Sequence, residues 1–217
     1  MKESPYNAQL VLEQPLDQGK WILLRKITFN DPSGKQREWE MAVRTTRTET
    51  TGLDAVCILA LLRNAEADSP RLVLVKQFRP PCNNVVVELP AGLIDPNESV
   101  ETTAERELLE ETGYVGRVVR LSHTAGPLFS DPGLTNVNLA LVTMEIDATD
   151  ERNINPQPLL EDCEYIDVAA LPLKGLMKSL AQMCAAEGCV LDSRLYHFAE
   201  GLRLGELIQR SVVEASV

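Results

Sequence analysis

Between Gly92 and Tyr114 the chain reads GLIDPNESVETTAERELLEETGY, with seven acidic side chains and a single basic one, Arg106. A helix is expected over about 99–112: Ser99 suits an N-cap, Glu101 falls in the first turn, and Gly113 suits a left-handed C-terminal position. At about 100° per residue from Val100, Glu107 falls near about −20°, Glu111 near about +20° and Glu110 near about −80°. Ala104 and Leu108 lie beside this arc, so the three carboxylates border the core side of the helix. Acidic runs are most often solvated faces, but a helix that needed only solubility would turn its acids away from Ala104 and Leu108. On this run alone, either the face is solvated or something must supply positive charge here. A hard cation such as Mg²⁺, which prefers carboxylate and carbonyl oxygens, would do so.

The rest of the chain bounds what that charge is for. The formal net charge is −11 over 217 residues, which argues against a nucleic-acid-wrapping surface, because such affinity comes from Lys and Arg on phosphates. The 44% hydrophobic content is enough for an ordinary core. The longest apolar run, AVCILALL at 55–62, is far short of the ~20 residues a bilayer span needs and reads as a buried strand. Five cysteines (Cys57, Cys82, Cys163, Cys184, Cys189) form no CxxC pair, and MKESPYNAQLVLEQP has no long apolar segment. The expectation is a reducing compartment, cytoplasmic or nuclear, with the cysteines as small buried hydrophobes.

Along the chain, the first fifteen residues read as a loose arm. WILLRKITF and REWEMAVRTT read as a hairpin around the turn NDPSGK. Strands are expected at 55–63, 71–78, 85–89, 115–123, 137–146 and 164–168, and closing helices at about 169–187 and 193–210. Strands and helices mix without strict βαβ alternation, which points to an α+β or mixed-sheet sandwich.

The spacing Gly92, Glu98, Arg106-Glu107-Leu108, Glu110-Glu111, Gly113, Tyr114 resembles the Nudix box. With background frequencies of about 6–7% per required residue type, a chance match is on the order of one in a billion per start position. Tyr114 departs from the aliphatic residue usual there, but its ring is apolar. The wider chain, through KWILLRKITFNDPSGKQREWEMAVRTTR, VKQFRPP, ELPAGLID, SDPGLTN and LDSRLYHFAEGL, resembles the eukaryotic-type ADP-sugar (ADP-ribose) pyrophosphatases. The resemblance implies a Nudix-type α/β/α sandwich with a mixed sheet, at 51–217, and an N-terminal arm and β-hairpin at 1–50, exchanged in a homodimer. It implies Mg²⁺ (or Mn²⁺), two or three ions per site, held by Glu107, Glu110, Glu111 and the carbonyl of Ala91. Gly92, Glu98 and Arg106 would support the ligands. Glu110 and Glu111 would share the catalytic work with a general base, Glu164, although Glu161 and Asp162 stand beside it. Trp21, Trp39, Glu40, Arg44, Arg79, Leu93 and Asp131 would bind the nucleotide sugar. Surface ion pairs are the plain alternative for Arg44 and Arg79.

Hairpin geometry bears on the tryptophans independently. With the turn centred near 32–33, Trp39 should lie opposite about Lys26, roughly 17 Å along the strand from Trp21. One flat hairpin cannot then close both rings on one base, so gripping a base with both requires a second chain or a sharply bent hairpin; the homodimer that the resemblance implies would supply the former. The expected activity is hydrolysis of ADP-ribose to AMP and ribose 5-phosphate. The alternatives are another nucleoside diphosphate substrate or a non-catalytic nucleotide-binding module.

Overall fold

The computed structural model describes residues 9–65, 69–122, 126–161 and 164–214. By internal contacts these divide into two compact units. One gathers the described parts of Met1–Ala55, Leu93–Ser99 and His123–Ala140; the other holds those of Val56–Gly92, Val100–Ser122 and Leu141–Val217.

The first unit is built on a three-stranded antiparallel sheet, β1 (Gln9–Gln18), β2 (Ile22–Asn30) and β3 (Gln36–Arg44), in the order β1-β2-β3. The hairpin is as expected. The loose arm is not, because Gln9–Gln18 pairs with β2 along its length. Pro15 hid that strand. Proline lacks an amide donor and is tolerated only at edges or bulges, and here it borders an irregularity on the edge strand. The turn closes on Asp31, whose Oδ1 accepts the amides of Ser33 (3.0 Å) and Lys35 (3.0 Å), with Gly34 at φ 82°. The turn is thereby centred on residue 33, and Trp39 pairs with Ile27 rather than Lys26. The loop at 130–137 is tied to the same sheet: Thr135 Oγ1 donates to Ala42 O at 2.7 Å, and Ala42 N–H donates to Leu134 O at 3.0 Å.

The second unit is a mixed sheet with three helices. The larger sheet comprises β4 (Ala55–Arg63), β5 (Arg71–Arg79), β6 (Asn84–Glu88), β7 (Ala91–Leu93), β8 (Arg117–Leu121), β9 (Leu128–Phe129), β10 (Asn138–Asp147), β11 (Ile166–Pro172) and β12 (Val190–Leu191); all of these belong to the second unit except β9, Ala55, Leu93 and residues 138–140, which belong to the first. The main path is β12-β6-β5-β4-β10-β8, with β12 parallel to β6 and most other pairs antiparallel. β11 pairs with β5 over residues 71–77. Both β4, along 71–73, and β6, along 75–79, must therefore share the other edge of β5. Where β4 gives way to β6, β7 pairs with β4, and Ile58 N–H donates to Pro90 O at 2.8 Å. This parting of strands places Ala91 and Gly92 beside the acidic helix.

That helix, α1, runs Val100–Thr112. Gly113 follows at φ 74°, its N–H on Leu109 O at 2.8 Å, as expected of a left-handed cap. The expected helix at 169–187 is corrected: Ile166–Pro172 is strand, and α2 spans only Leu176–Glu187. Pro172 and Gly175 break the pattern between them, and the β5 edge recruits the preceding residues. α3 runs Ser193–Glu214 and packs on α2. The core is drawn from Val56, Ile58 and Ala60, Leu72–Val75, Val142, Met144 and Ile146, with Leu108, Leu180 and Leu195 from the helices. Cys57 and Cys189 are buried as expected, whereas Cys82 is exposed; Cys163 lies outside the described residues. Among the described residues no helix is long and apolar enough to cross a membrane.

Candidate active site

Helix α1 buries Val100, Thr103, Ala104 and Leu108, and Glu111 is buried with them at 5% exposure. Stripping a carboxylate of water costs much free energy unless it is hydrogen-bonded or paired. Glu111 Oε2 accepts the Ala91 N–H at 3.0 Å. Burial nevertheless pushes its pKa up to about 8; the negative charges of Glu107 and Glu164 add to the rise, while the Ala91 amide and Arg79 oppose it. Burial also raises Glu107, against the pull of Arg106, with Glu110 and Glu164 adding to the rise. Arg106 Nη1 bridges Glu107 Oε1 (2.8 Å) and Glu110 Oε2 (3.0 Å).

Gly92 makes this packing possible. A Cβ at that position would fall 1.9 Å from the Glu107 carboxyl carbon, so any other residue would displace the carboxylate. Gly113 is required twice over, by its positive φ and by the Gln157 backbone, whose nitrogen would lie 2.3 Å from a Cβ.

Several predicted residues therefore come together in the second unit: Ala91, Gly92, Arg106, Glu107, Glu110 and Glu111, with Arg79 and Glu164 close enough for their charges to act on Glu111. Of the three candidate bases, Glu164 is half-buried and Glu161 exposed; Asp162 lies outside the described residues. The Glu161 N–H donates to Glu164 Oε2 at 3.2 Å, and the Glu164 N–H returns to Glu161 O at 3.0 Å. Arg79 is tied to a partner the sequence did not suggest, the buried Glu88.

The remaining predicted residues lie in the first unit. Trp21 and Trp39 are exposed, at 59% and 52%. Lys20 Nζ lies 4.4 Å from the Trp21 ring centroid, and Trp39 Nε1 donates to Gly133 O at 3.1 Å, two residues from Asp131. Trp39 and Glu40 line a concavity of about 420 Å³ with Lys26 and Glu38. Arg44 is exposed at the end of β3, and Leu93 is half-buried at the end of β7. Glu98 closes the turn after β7, its N–H on Asp95 O at 3.1 Å. A further cavity of about 650 Å³, bordered by Arg63, Arg117, Glu145 and Arg152, contains none of the predicted residues. Its arginines are already paired, with Glu145 and Asp150.

Among the described residues, no three His, Cys, Asp or Glu side chains already converge as a metal cluster. Arg106 instead stands between Glu107 and Glu110. The donor set still fits a hard divalent cation: all its atoms are oxygens, and burial leaves Glu107 and Glu111 short of compensating positive charge.

Fold and site define a mixed-sheet α+β domain whose principal feature is a carboxylate helix packed against a glycine. The NUDIX domain family model matches residues 53–186. An ADP-ribose pyrophosphatase of Saccharomyces cerevisiae is 43% identical over 86% of this chain and 79% of its own length. An ADP-sugar pyrophosphatase of Mus musculus is 36% identical over 93% of this chain and 90% of its own. Among solved structures, an ADP compounds hydrolase superposes with a TM-score of 0.59 at 20% identity, covering 83% of this chain and 86% of that one, a likeness of fold. The chain belongs to the Nudix family.

Proposed function

We propose that this protein is a metal-dependent ADP-sugar pyrophosphatase that hydrolyses ADP-ribose to AMP and ribose 5-phosphate. The observation that carries it is the half-buried Glu107 beside the buried Glu111, whose charge calls for a cation, in a chain similar over most of its length to pyrophosphatases of ADP-ribose and ADP-sugars. Glu107, Glu110, Glu111 and the Ala91 carbonyl would hold Mg²⁺ or Mn²⁺, in two or three ions. When bound, such ions polarise phosphoryl oxygens and make a water acidic enough to attack at neutral pH.

The chain's own groups do the rest. Glu164, whose charge already bears on Glu107 and Glu111, takes the proton of the attacking water. The water oxygen bonds to one phosphorus as the bridging P–O bond breaks, and the bridging oxygen leaves with the other phosphate. Arg79 offsets the charge of the pyrophosphate, and Arg44 and Asp131 contact its polar groups and terminal ribose. Leu93 packs on the substrate.

Trp21 and Trp39 hold the adenine, with Glu40 hydrogen-bonding its edge, each ring coming from a different subunit of a homodimer. The observed register supports that division of labour. Trp21 is six residues from Ile27, the partner of Trp39, a separation of roughly 20 Å along the sheet. A base needs its two flanking rings only about 7 Å apart, twice a ~3.5 Å contact. We assign the protein to the cytoplasm or nucleus, where free thiols persist.

Ranking substrates by kcat/KM tests this function. In Mg²⁺, ADP-ribose, ADP-glucose or ADP-mannose is expected to lead GDP-mannose and 8-oxo-dGDP by at least about tenfold, because a site that hydrogen-bonds one base leaves buried groups unpaired with another. A lead for 8-oxo-dGDP or GDP-mannose would overturn the assignment.

A further inference from the structure

We propose that Glu88 is a positioning residue that holds the Arg79 guanidinium by one edge and aims the other at the substrate's pyrophosphate. This rests on the function proposed above. Arg79 ends β5 and Glu88 ends β6; the two strands are antiparallel, with Val75 opposite Glu88 and Arg79 opposite Asn84. Side chains alternate along a strand, so 75, 77 and 79 share a face with 84, 86 and 88. Arg79 reaches back along that face to Glu88. Glu88 Oε1 accepts from Arg79 Nε at 3.1 Å, and Oε2 accepts from Nη2 at 2.6 Å. The grip takes the Nε/Nη2 edge of the planar fork, so Nη1 points away from Glu88.

The two partners differ in exposure. The Glu88 side chain is 8% exposed and that of Arg79 is 40%, so the acid is sealed in the protein while the guanidinium reaches the surface. Arg79 is near enough to Glu111 for each charge to act on the other, which sets it beside the carboxylates proposed to hold the metal. A second guanidinium, Arg194 of α3, also acts on Glu88; it is held by Asp192, with Nε on Oδ1 and Nη2 on Oδ2, both at 3.0 Å. This gives LDSRLYHF, a stretch otherwise without a role, a place in the site: Asp192 fixes Arg194, and Arg194 and Arg79 together compensate the buried Glu88.

Stability alone is a poor reason for such an arrangement. A buried ion pair seldom outperforms well-packed apolar residues, and β6 otherwise reads NVVV. Fixed direction is what the pair adds. A phosphate-binding arginine held before substrate arrives loses less side-chain freedom on binding.

The experiment measures KM and kcat for wild type, Glu88→Gln, Arg79→Ala and the double variant, on whichever substrate of the panel above the wild type hydrolyses fastest. The wild-type ranking thus tests the proposed function, and the variant ratios test the role of Glu88. Glu88→Gln is expected to raise KM about tenfold while kcat stays within about threefold, the signature of lost ground-state binding. In the Arg79→Ala background, Glu88→Gln should change KM by less than about twofold, because a residue acting through Arg79 has nothing left to position. An equal rise in KM with or without Arg79, or a fall in kcat alone, would overturn the proposal. If Glu88→Gln does not fold, Arg79→Lys decides the matter: it keeps both charges but removes the fork, and an unchanged KM would overturn the proposal.

Discussion

Glu107→Gln is expected to lower kcat for ADP-ribose hydrolysis about a thousandfold, the scale on which removal of one electrostatic stabiliser acts in a water-poor site. Glutamine keeps the length of the side chain and an oxygen for Arg106, which donates to Glu107 Oε1 at 2.8 Å. Only the charge is removed. Because burial already raises the pKa of Glu107, neutralising it relieves a cost in the metal-free protein and should leave the unfolding midpoint unchanged or higher. Lost activity with retained stability separates a cation ligand from a structural acid. AMP release and thermal unfolding on the same preparation measure both. A kcat within tenfold of wild type would remove Glu107 from the ligand set.

The second large effect is on stability, through Glu111. Its carboxyl titrates near 8 in the folded protein against an ordinary 4.5, because burial disfavours the charged form. A raised carboxyl pKa means that the folded state holds the proton more tightly than the unfolded one. The group's favourable contribution is complete below about 4.5, falls as pH rises, and is gone above about 8. A tenfold difference in proton affinity between the two states corresponds to about 1.4 kcal/mol, so in EDTA the loss between pH 5 and 8 should amount to a few kcal/mol. Mg²⁺ should reverse the trend, because it binds the ionised carboxylate of the native state and adds its binding free energy to stability. Unfolding midpoints from pH 5 to 8.5, in EDTA and in Mg²⁺, test both parts. Glu111→Gln in EDTA should lack most of the slope. An undiminished slope in that variant would assign the pH dependence to other groups.

These effects trace to a helix whose charge pattern is legible in the sequence, because helical periodicity alone puts Glu107 and Glu111 beside Ala104 and Leu108. The buried strand at 55–63 is legible for a similar reason: a short apolar run has nowhere to go but the core. What sequence could not supply was pairing. Gln9–Gln18 is a strand only because β2 offers it an edge, and its Pro15 argues the other way. The strand at Ile166–Pro172 continues into residues of good helical pattern because β5 has a free edge to fill. The hairpin register moved by one residue because Asp31 closes a turn centred on residue 33, a detail of side-chain hydrogen bonding.

The same limit applied to the site. Arg79 and Glu88 are nine positions apart, and only the β5–β6 register, with a long side chain folded back along it, brings them together. A single acid closing a valine run was the one local sign. For the general base, composition does not separate Glu161, Asp162 and Glu164, and the resemblance alone favours Glu164. In the fold Glu164 is half-buried and its charge acts on Glu107 and Glu111, while Glu161 is exposed.

The most direct measurement of the central claim is a ³¹P NMR time course of ADP-ribose with the purified protein, in Mg²⁺ and then in excess EDTA. The coupled pyrophosphate signals should give way to two phosphomonoester signals, those of AMP and ribose 5-phosphate, in Mg²⁺ and persist unchanged in EDTA. Pyrophosphate signals that persist in Mg²⁺, or that vanish equally fast in EDTA, would contradict a cation-dependent pyrophosphatase built on α1.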